Sequence, residues 1–306
     1  MDKPDEKPRP RFKLPLYGQL KEHVSFSELK LFNECQWRWL LRKVMGHDVI
    51  DRSFQMDFGK AVHSGMEVLY SPDGTVEKAT AHALAMYDEA LGTLQLTHPS
   101  DIAEATRIRD SIPQFYRDCL VSPELKGITT LRSELALMLP INRTDGLELK
   151  FKGFIDIVFV KKTPGGKKTV IYIADFKTCQ WGWPRDKLGD ISVTAQILLY
   201  KHFFCKLTGA DPKNVKTAFI LLKKKPRKDD ITVQVLDVSP GPKMVSHAIE
   251  WMQQTITDMH RYDYEQNYNA CRSEWVDRET EETRRAECQF LGTDLCPGSA
   301  EAWAGS

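Results

Sequence analysis

Gly153-Phe-Ile-Asp-Ile-Val-Phe159 and Val170-Ile-Tyr-Ile-Ala-Asp-Phe-Lys177 are two runs of β-branched and aromatic residues, each interrupted by one carboxylate. Such runs read as strands. An acid within a core strand is costly unless it is paired, solvated or bound to a cation. Asp156 and Asp175 occupy that position on successive strands, and one shared metal explains both. Asp175 and Lys177 are two residues apart, so a strand places both on one face. An isolated Asp-x-Lys is explained by a simple ion pair; Asp156 on the preceding strand moves the reading toward chemistry. A hard cation such as Mg²⁺ or Mn²⁺ takes one or two carboxylates plus water and phosphate oxygens. Phosphodiester hydrolysis needs an activated water and neutralisation of developing charge, and a nearby lysine can orient the water or stabilise that charge.

Working outward, residues 129–139, 147–160 and 168–177 read as strands, with Asn142-Arg-Thr-Asp-Gly146 and Thr163-Pro-Gly-Gly166 as turns. On the N-terminal side, Ser25 and Glu28 have the spacing of a capping box. The stripe Phe26, Leu29, Phe32, Trp39, Leu40 predicts one helix ending near Gly46. Further helices are predicted over 59–70, 76–91 and 102–120. On the C-terminal side a helix is predicted near 192–207, strands near 215–224 and 231–238, and a helix near 242–261. This order gives an α/β protein: a central mixed sheet flanked by helices, an N-terminal helical part and a cysteine-bearing C-terminal segment. The expected boundaries are a flexible tail at 1–24, a catalytic domain at 25–263, and a C-terminal segment at 264–306 packing back on the first helix. That last segment looks poor in regular structure.

Two helical motifs fit around the strand carboxylates. Gly59-Lys-Ala-Val-His63 puts a histidine on an otherwise apolar helix, where a lone histidine is more often a core residue than a ligand. Gln196 and Tyr200 are spaced i, i+4 and share a helix face; taken alone they are ordinary packing.

The 306 residues are 42% hydrophobic and 28% charged, with a formal net charge of +1. That suffices for a large core and excludes a disordered chain. It also excludes a global basic field, so nucleic acid would have to be held by a local patch. The candidates are Lys161, Lys162, Lys167, Lys168 and the run Lys223, Lys224, Lys225, Arg227, Lys228, each of which by itself reads as a solvated loop. No stretch has the apolar length of a signal peptide or a membrane span. Seven cysteines without a secretory signal argue for a reducing compartment, hence a cytoplasmic location.

The ordered set Gly59-x-x-x-His63, Glu134, Gly153-x-x-Asp156, Asp175-x-Lys177 and Gln196-x-x-x-Tyr200 resembles the RecB-type branch of the PD-(D/E)XK nucleases, which includes nuclease domains of recombination helicase-nucleases, CRISPR-associated adaptation nucleases and phage exonucleases. The resemblance spans about residues 25 to 296. It implies a restriction-endonuclease-like core and a metal-dependent DNA exonuclease of recombination, repair or CRISPR adaptation. It implies Mg²⁺ or Mn²⁺ held by His63, Asp156, Asp175 and the Phe176 carbonyl, with Lys177 acting on the attacking water and Gln196 and Tyr200 contacting DNA or ordering the site. Glu134 is either an auxiliary acid or an exposed strand residue. The implied partners are DNA, single-stranded or at ends, with recombination or CRISPR adaptation proteins and a further copy of the chain as additional partners, and no membrane. The competing reading is a nuclease-fold DNA-binding or adaptor module in a larger complex, which the joint presence of Asp156, Asp175 and Lys177 disfavours.

Four further residues carry a second expectation. Cys271, Cys288 and Cys296 lie near the C-terminus and Cys35 on the first helix. Thiolates in fours suit Zn²⁺ or an iron–sulfur cluster. The resemblance implies a 4Fe–4S cluster, with zinc as the alternative and unconnected thiols as the third reading. Cys271 and Cys288 are separated by 16 residues, wider than the tightest form of the family. A redox protein built on the thiols lacks any Cys-x-x-Cys pair. Cys119, Cys179 and Cys205 read as core residues.

Overall fold

The computed structural model describes residues 21–47, 53–162, 168–227, 230–238, 241–260, 272–276, 283–291, 293, 295 and 296. The chain forms two compact units. The smaller comprises Met1–Asp51, Pro140–Lys150 and Glu250–Ser306; the larger comprises Arg52–Leu139 and Phe151–Ile249.

In the smaller unit a short strand β1 (His23–Ser25) leads into α1 (Phe26–Glu34). The Ser25 hydroxyl caps α1 by accepting from Glu28 N at 3.4 Å, as the capping-box spacing predicts. The single helix expected to Gly46 is instead broken at Cys35. There the backbone is extended (φ −159°, ψ 108°), and a short α2 (Gln36–Trp39) restarts and runs into a π-helical turn, Leu40–Val44. Periodicity could not show this break, because Cys35 stays buried and its Sγ caps the new turn by accepting from Arg38 N at 3.4 Å. Trp37 donates from its indole nitrogen to the Leu295 carbonyl at 2.8 Å.

The larger unit opens with three helices: α3 (Phe54–Leu69), α4 (Val76–Thr93) and α5 (Pro99–Val121). Ser53 and Thr75 cap the first two, and Pro99 starts the third, where its missing N–H costs nothing. Strands β2 (Thr129–Pro140), β3 (Lys150–Lys162) and β4 (Thr169–Cys179) follow, then α6 (Ile191–Thr208), β5 (Val215–Lys223) and β6 (Val233–Val238). Their sheet order is β3–β4–β5–β6, with β2 paired on β3. β3/β4 and β5/β6 are antiparallel and β4/β5 is parallel, with α6 as the crossover between the parallel strands. The result is the mixed α/β sheet that the element order predicts.

The core lies between one face of this sheet and α3–α5. Phe58, Met66, Tyr87, Phe115 and Tyr116 pack with Ile157, Phe159, Ala174, Phe176 and Ile220. The other face receives α6. A strand covered on both faces has no polar side, which is why β5 is buried along nearly its whole length. Asp118 of α5 is a buried polar tie to the end of this sheet. Its Oδ2 accepts from Thr232 N at 2.7 Å and Thr232 Oγ1 at 2.8 Å.

Helix α7 (Pro242–Met259) follows β6. The C-terminal segment is not devoid of regular structure: β7 (Arg272–Val276) and β8 (Thr283–Glu287) pair antiparallel, Arg272 opposite Glu287 and Val276 opposite Thr283. Both strands are mostly charged and polar in sequence, so backbone pairing forms them without an apolar alternation to announce it. No helix among the described residues is long and apolar enough to cross a membrane.

Candidate active site

The antiparallel register of β3 and β4 brings the two strand carboxylates together. Ile157 faces Ala174, and Asp156 and Asp175 are the next positions along their strands. The backbone ladder gives way to a side chain there: Phe176 N–H donates to Asp156 Oδ2 at 2.7 Å. Alternation along β4 buries Phe176 in the core with α3–α5 and turns Asp175 and Lys177 to the opposite face.

Asp175 is 1% exposed, and Lys177 Nζ lies 2.7 Å from its Oδ2. Lys177 Nζ also donates to Gln196 Oε1 at 3.0 Å, and Gln196 Nε2 donates to Tyr200 Oη at 3.1 Å. The i, i+4 pair on α6 is thus one chain of polar contacts leading to Lys177. Tyr200 closes against β3 at Gly153, where an added Cβ would stand 2.6 Å from Tyr200 Cε1. Gly153 is required by this close approach.

His63 reaches the site from α3. Its Nδ1 lies 3.4 Å from Asp156 Oδ2 and its ring packs edge-on to Phe176, with centroids 6.2 Å apart. Burial pulls its pKa below the usual histidine value against the opposing pull of Asp175, which leaves a neutral ring at neutral pH. Burial, reinforced by Asp175, raises Asp156 well above the usual carboxylate range. Burial also works against the charge on Lys177, but Asp175, by charge and by hydrogen bond, together with Asp156, outweighs it and the pKa rises. These two carboxylates favour the ammonium form of Lys177, which donates hydrogen bonds.

Glu134, for which an auxiliary acid and an exposed strand residue were both open, is half-buried on β2, with a left-handed backbone at φ +48°. A non-glycine residue in that region costs about 1–3 kcal/mol. Burial raises its pKa, with Glu67 and Asp175 adding to the effect. Glu67 is the site residue that sequence reasoning misses. It lies four residues after His63, on the same face of α3, and a His-x-x-x-Glu spacing could have marked it. Its pKa is raised by burial, with His82 pulling the other way. His82 Nε2 meets Ser64 Oγ at 2.8 Å. A cavity of about 530 Å³ opens beside these groups, lined by Gly59, Lys60, His63, Ser64 and Glu67 with Met56 and Met86.

The donor set fits a hard divalent cation. It offers two carboxylates, a neutral imidazole and the Phe176 carbonyl, and Asp175 Oδ2 is buried with no hydrogen bond of good geometry despite its ion pair. Among the described residues no three His, Cys, Asp or Glu side chains converge at ligand distance. Lys177 and the Phe176 N–H engage the two carboxylates. Of the expected cysteine set, Cys35 and Cys296 are buried and Cys288 is half-buried; Cys271 lies outside the described residues, as do Lys167 and Lys228.

The mixed sheet carries Asp and Asp-x-Lys on adjacent strands, with a histidine from one side and a Gln–Tyr helix from the other. The family model described as the PD-(D/E)XK nuclease superfamily matches residues 23–275, and the chain belongs to that superfamily. Its nucleases use Mg²⁺ or Mn²⁺. No curated protein matches the chain.

Proposed function

We propose that this chain is a metal-dependent DNA exonuclease of the RecB-type branch, acting in recombination, repair or CRISPR adaptation. The observation that carries the reading is the continuous contact chain Asp175–Lys177–Gln196–Tyr200 beside Asp156 and His63. Asp156, Asp175, His63 and the Phe176 carbonyl would hold Mg²⁺ or Mn²⁺, which supplies Lewis-acid polarisation of the phosphate and a more acidic water. Lys177, held as an ammonium between Asp175 and Gln196, orients the attacking water and meets the charge that develops on the phosphate oxygens. Gln196 and Tyr200 fix the direction of Nζ. An adaptor has no use for this intact set.

The same reading assigns Cys35, Cys271, Cys288 and Cys296 to a 4Fe–4S cluster, with zinc as the alternative occupant. The Trp37–Leu295 hydrogen bond, which joins the segments carrying Cys35 and Cys296, is the contact that favours it, although Cys35, Cys288 and Cys296 do not converge at ligand distance. Brown, anaerobically purified protein with visible absorbance that bleaches on reduction is expected. Colourless protein with stoichiometric zinc would keep the four-thiol site and reject the cluster.

The activity is tested on DNA labelled at the 5′ or 3′ end, single- and double-stranded, with Mg²⁺, Mn²⁺ or EDTA. Release of short products from ends, with covalently closed circles left intact, is the expected pattern. Cutting of closed circles would reassign the enzyme as an endonuclease.

A further inference from the structure

Just beyond β4 the chain turns through Gln180-Trp-Gly-Trp183. Trp181 is 67% exposed, more than any other large apolar side chain among the described residues. Leaving so large an apolar ring in water is unfavourable, and a ring held there beside cations is a surface on which a flat partner can stack.

The loop is built to hold the ring there. Gly182 has φ +101°, and an added Cβ would stand 2.4 Å from Gln234 Oε1. That same Oε1 accepts from Trp183 N at 3.3 Å. The Trp183 ring packs on Phe219, with centroids 5.2 Å apart, and Lys187 Nζ sits 4.2 Å from its centre. On the other side, Lys224 N donates to the Cys179 carbonyl and Lys225 N to the Gln180 carbonyl, both at 2.8 Å. Pairing of the β4 and β5 chains therefore continues past the sheet and brings Lys225 Nζ to 5.9 Å from the Trp181 ring centre.

The basic run from Lys223 thus acquires a context that its sequence lacked. Lys187 lies on the segment that carries both tryptophans, and Lys224, Lys225 and Arg227 lie on the segment paired beside it. Glu104, bonded to Arg107 at 2.7 Å, also lies in the field of Lys224 and Lys225, and Asp230 lies 3.7 Å from Lys223 Nζ. An exposed aromatic face among cations takes unpaired bases on the ring and phosphates on the ammonium groups. A duplex hides its base faces, so the combination selects single strands. Trp181 is four residues past Lys177, hence at most ~14 Å away along the backbone. A stacked strand rises ~3.4 Å per nucleotide, so that backbone span corresponds to about four nucleotides.

We propose that Trp181, with Lys225 beside it, is a stacking platform for single-stranded DNA next to the catalytic site. It rests on the DNA-nuclease reading above. The test is the affinity of the full chain for a fluorescein-labelled single-stranded oligonucleotide, measured by anisotropy in EDTA so that nothing is cut. Trp181→Ala should weaken binding by about 5- to 150-fold, and Trp181→Phe should restore most of it. Lys225→Ala should lower the slope of log K against log salt by about 0.7. Binding of a blunt duplex should change less than about twofold. Unchanged single-strand affinity in Trp181→Ala, or an equal loss on blunt duplex, would overturn the platform. Cleavage by the wild-type chain in Mn²⁺ decides the nuclease reading separately, because the binding measurement needs no catalysis.

Discussion

Gly153 and Tyr200 meet so closely that no side chain fits between β3 and α6 at that point. The contact couples a strand glycine to the Gln196–Tyr200 hydrogen bond and through it to Lys177. Gly153→Ala should destabilise the fold by about 1–3 kcal/mol through overpacking and slow cleavage by displacing Tyr200. Thermal melting and single-turnover assays measure both. Combining it with Tyr200→Ala should cost less than the two single losses added, because removing the ring also removes the overlap with the added methyl. Strict additivity would show that the two residues do not act through one another.

Metal dependence follows from Asp156 and Asp175. Activity should vanish in EDTA and return with Mg²⁺ or Mn²⁺, with Mn²⁺ at least as effective because His63 offers a nitrogen ligand. Full activity in EDTA would remove the strand carboxylates from the chemistry.

Lys177→Ala should cut the rate by orders of magnitude, since the proposed function gives Lys177 a part in the chemical step. From the sequence alone, the fold of this variant is expected to stay nearly intact. The burial of Asp175 changes that expectation: with its ammonium removed, the carboxylate is left without counter-charge. A loss of about 1–3 kcal/mol is expected, reduced from the value for a fully buried pair because Lys177 is partly exposed. Mn²⁺ should raise the melting temperature of Lys177→Ala more than that of the wild type. Equal shifts would place the ion away from Asp175.

Asp118 offers a control remote from the chemistry. Asp118→Ala orphans two buried donors on Thr232 and should cost about 2–4 kcal/mol in chemical denaturation. Turnover at low temperature, where the variant is folded, should stay near wild type. A large rate loss there would mean that the end of the sheet shapes the site.

The strand carboxylates were legible because desolvation makes an acid in a hydrophobic strand conspicuous, and a period of two is enough to place Asp175 and Lys177 on one face. The helices and strands of the larger unit were legible for the same kind of reason. Their apolar spacing repeats over many residues, and the ends shift by only a few positions. Cys35 was different. Its neighbours continue a helical stripe, and only the extended backbone and the Sγ cap show that the helix stops.

What the sequence determined alone is the α/β class, the strand carrying Asp-x-Lys and the residue types able to hold a divalent cation. These depend on short spacings and on the cost of burying charge, both local to the chain. Tertiary structure decided the rest: that Gln196 points at Lys177, that Gly153 leaves room for Tyr200, that Glu67 and Glu134 share one electrostatic field, and that Trp181 is held out in water beside Lys225. Each joins segments distant in sequence or depends on a backbone angle such as φ +48° at Glu134 or +101° at Gly182. Those angles and meetings are set by how the whole sheet packs, and no run of neighbouring residues encodes them.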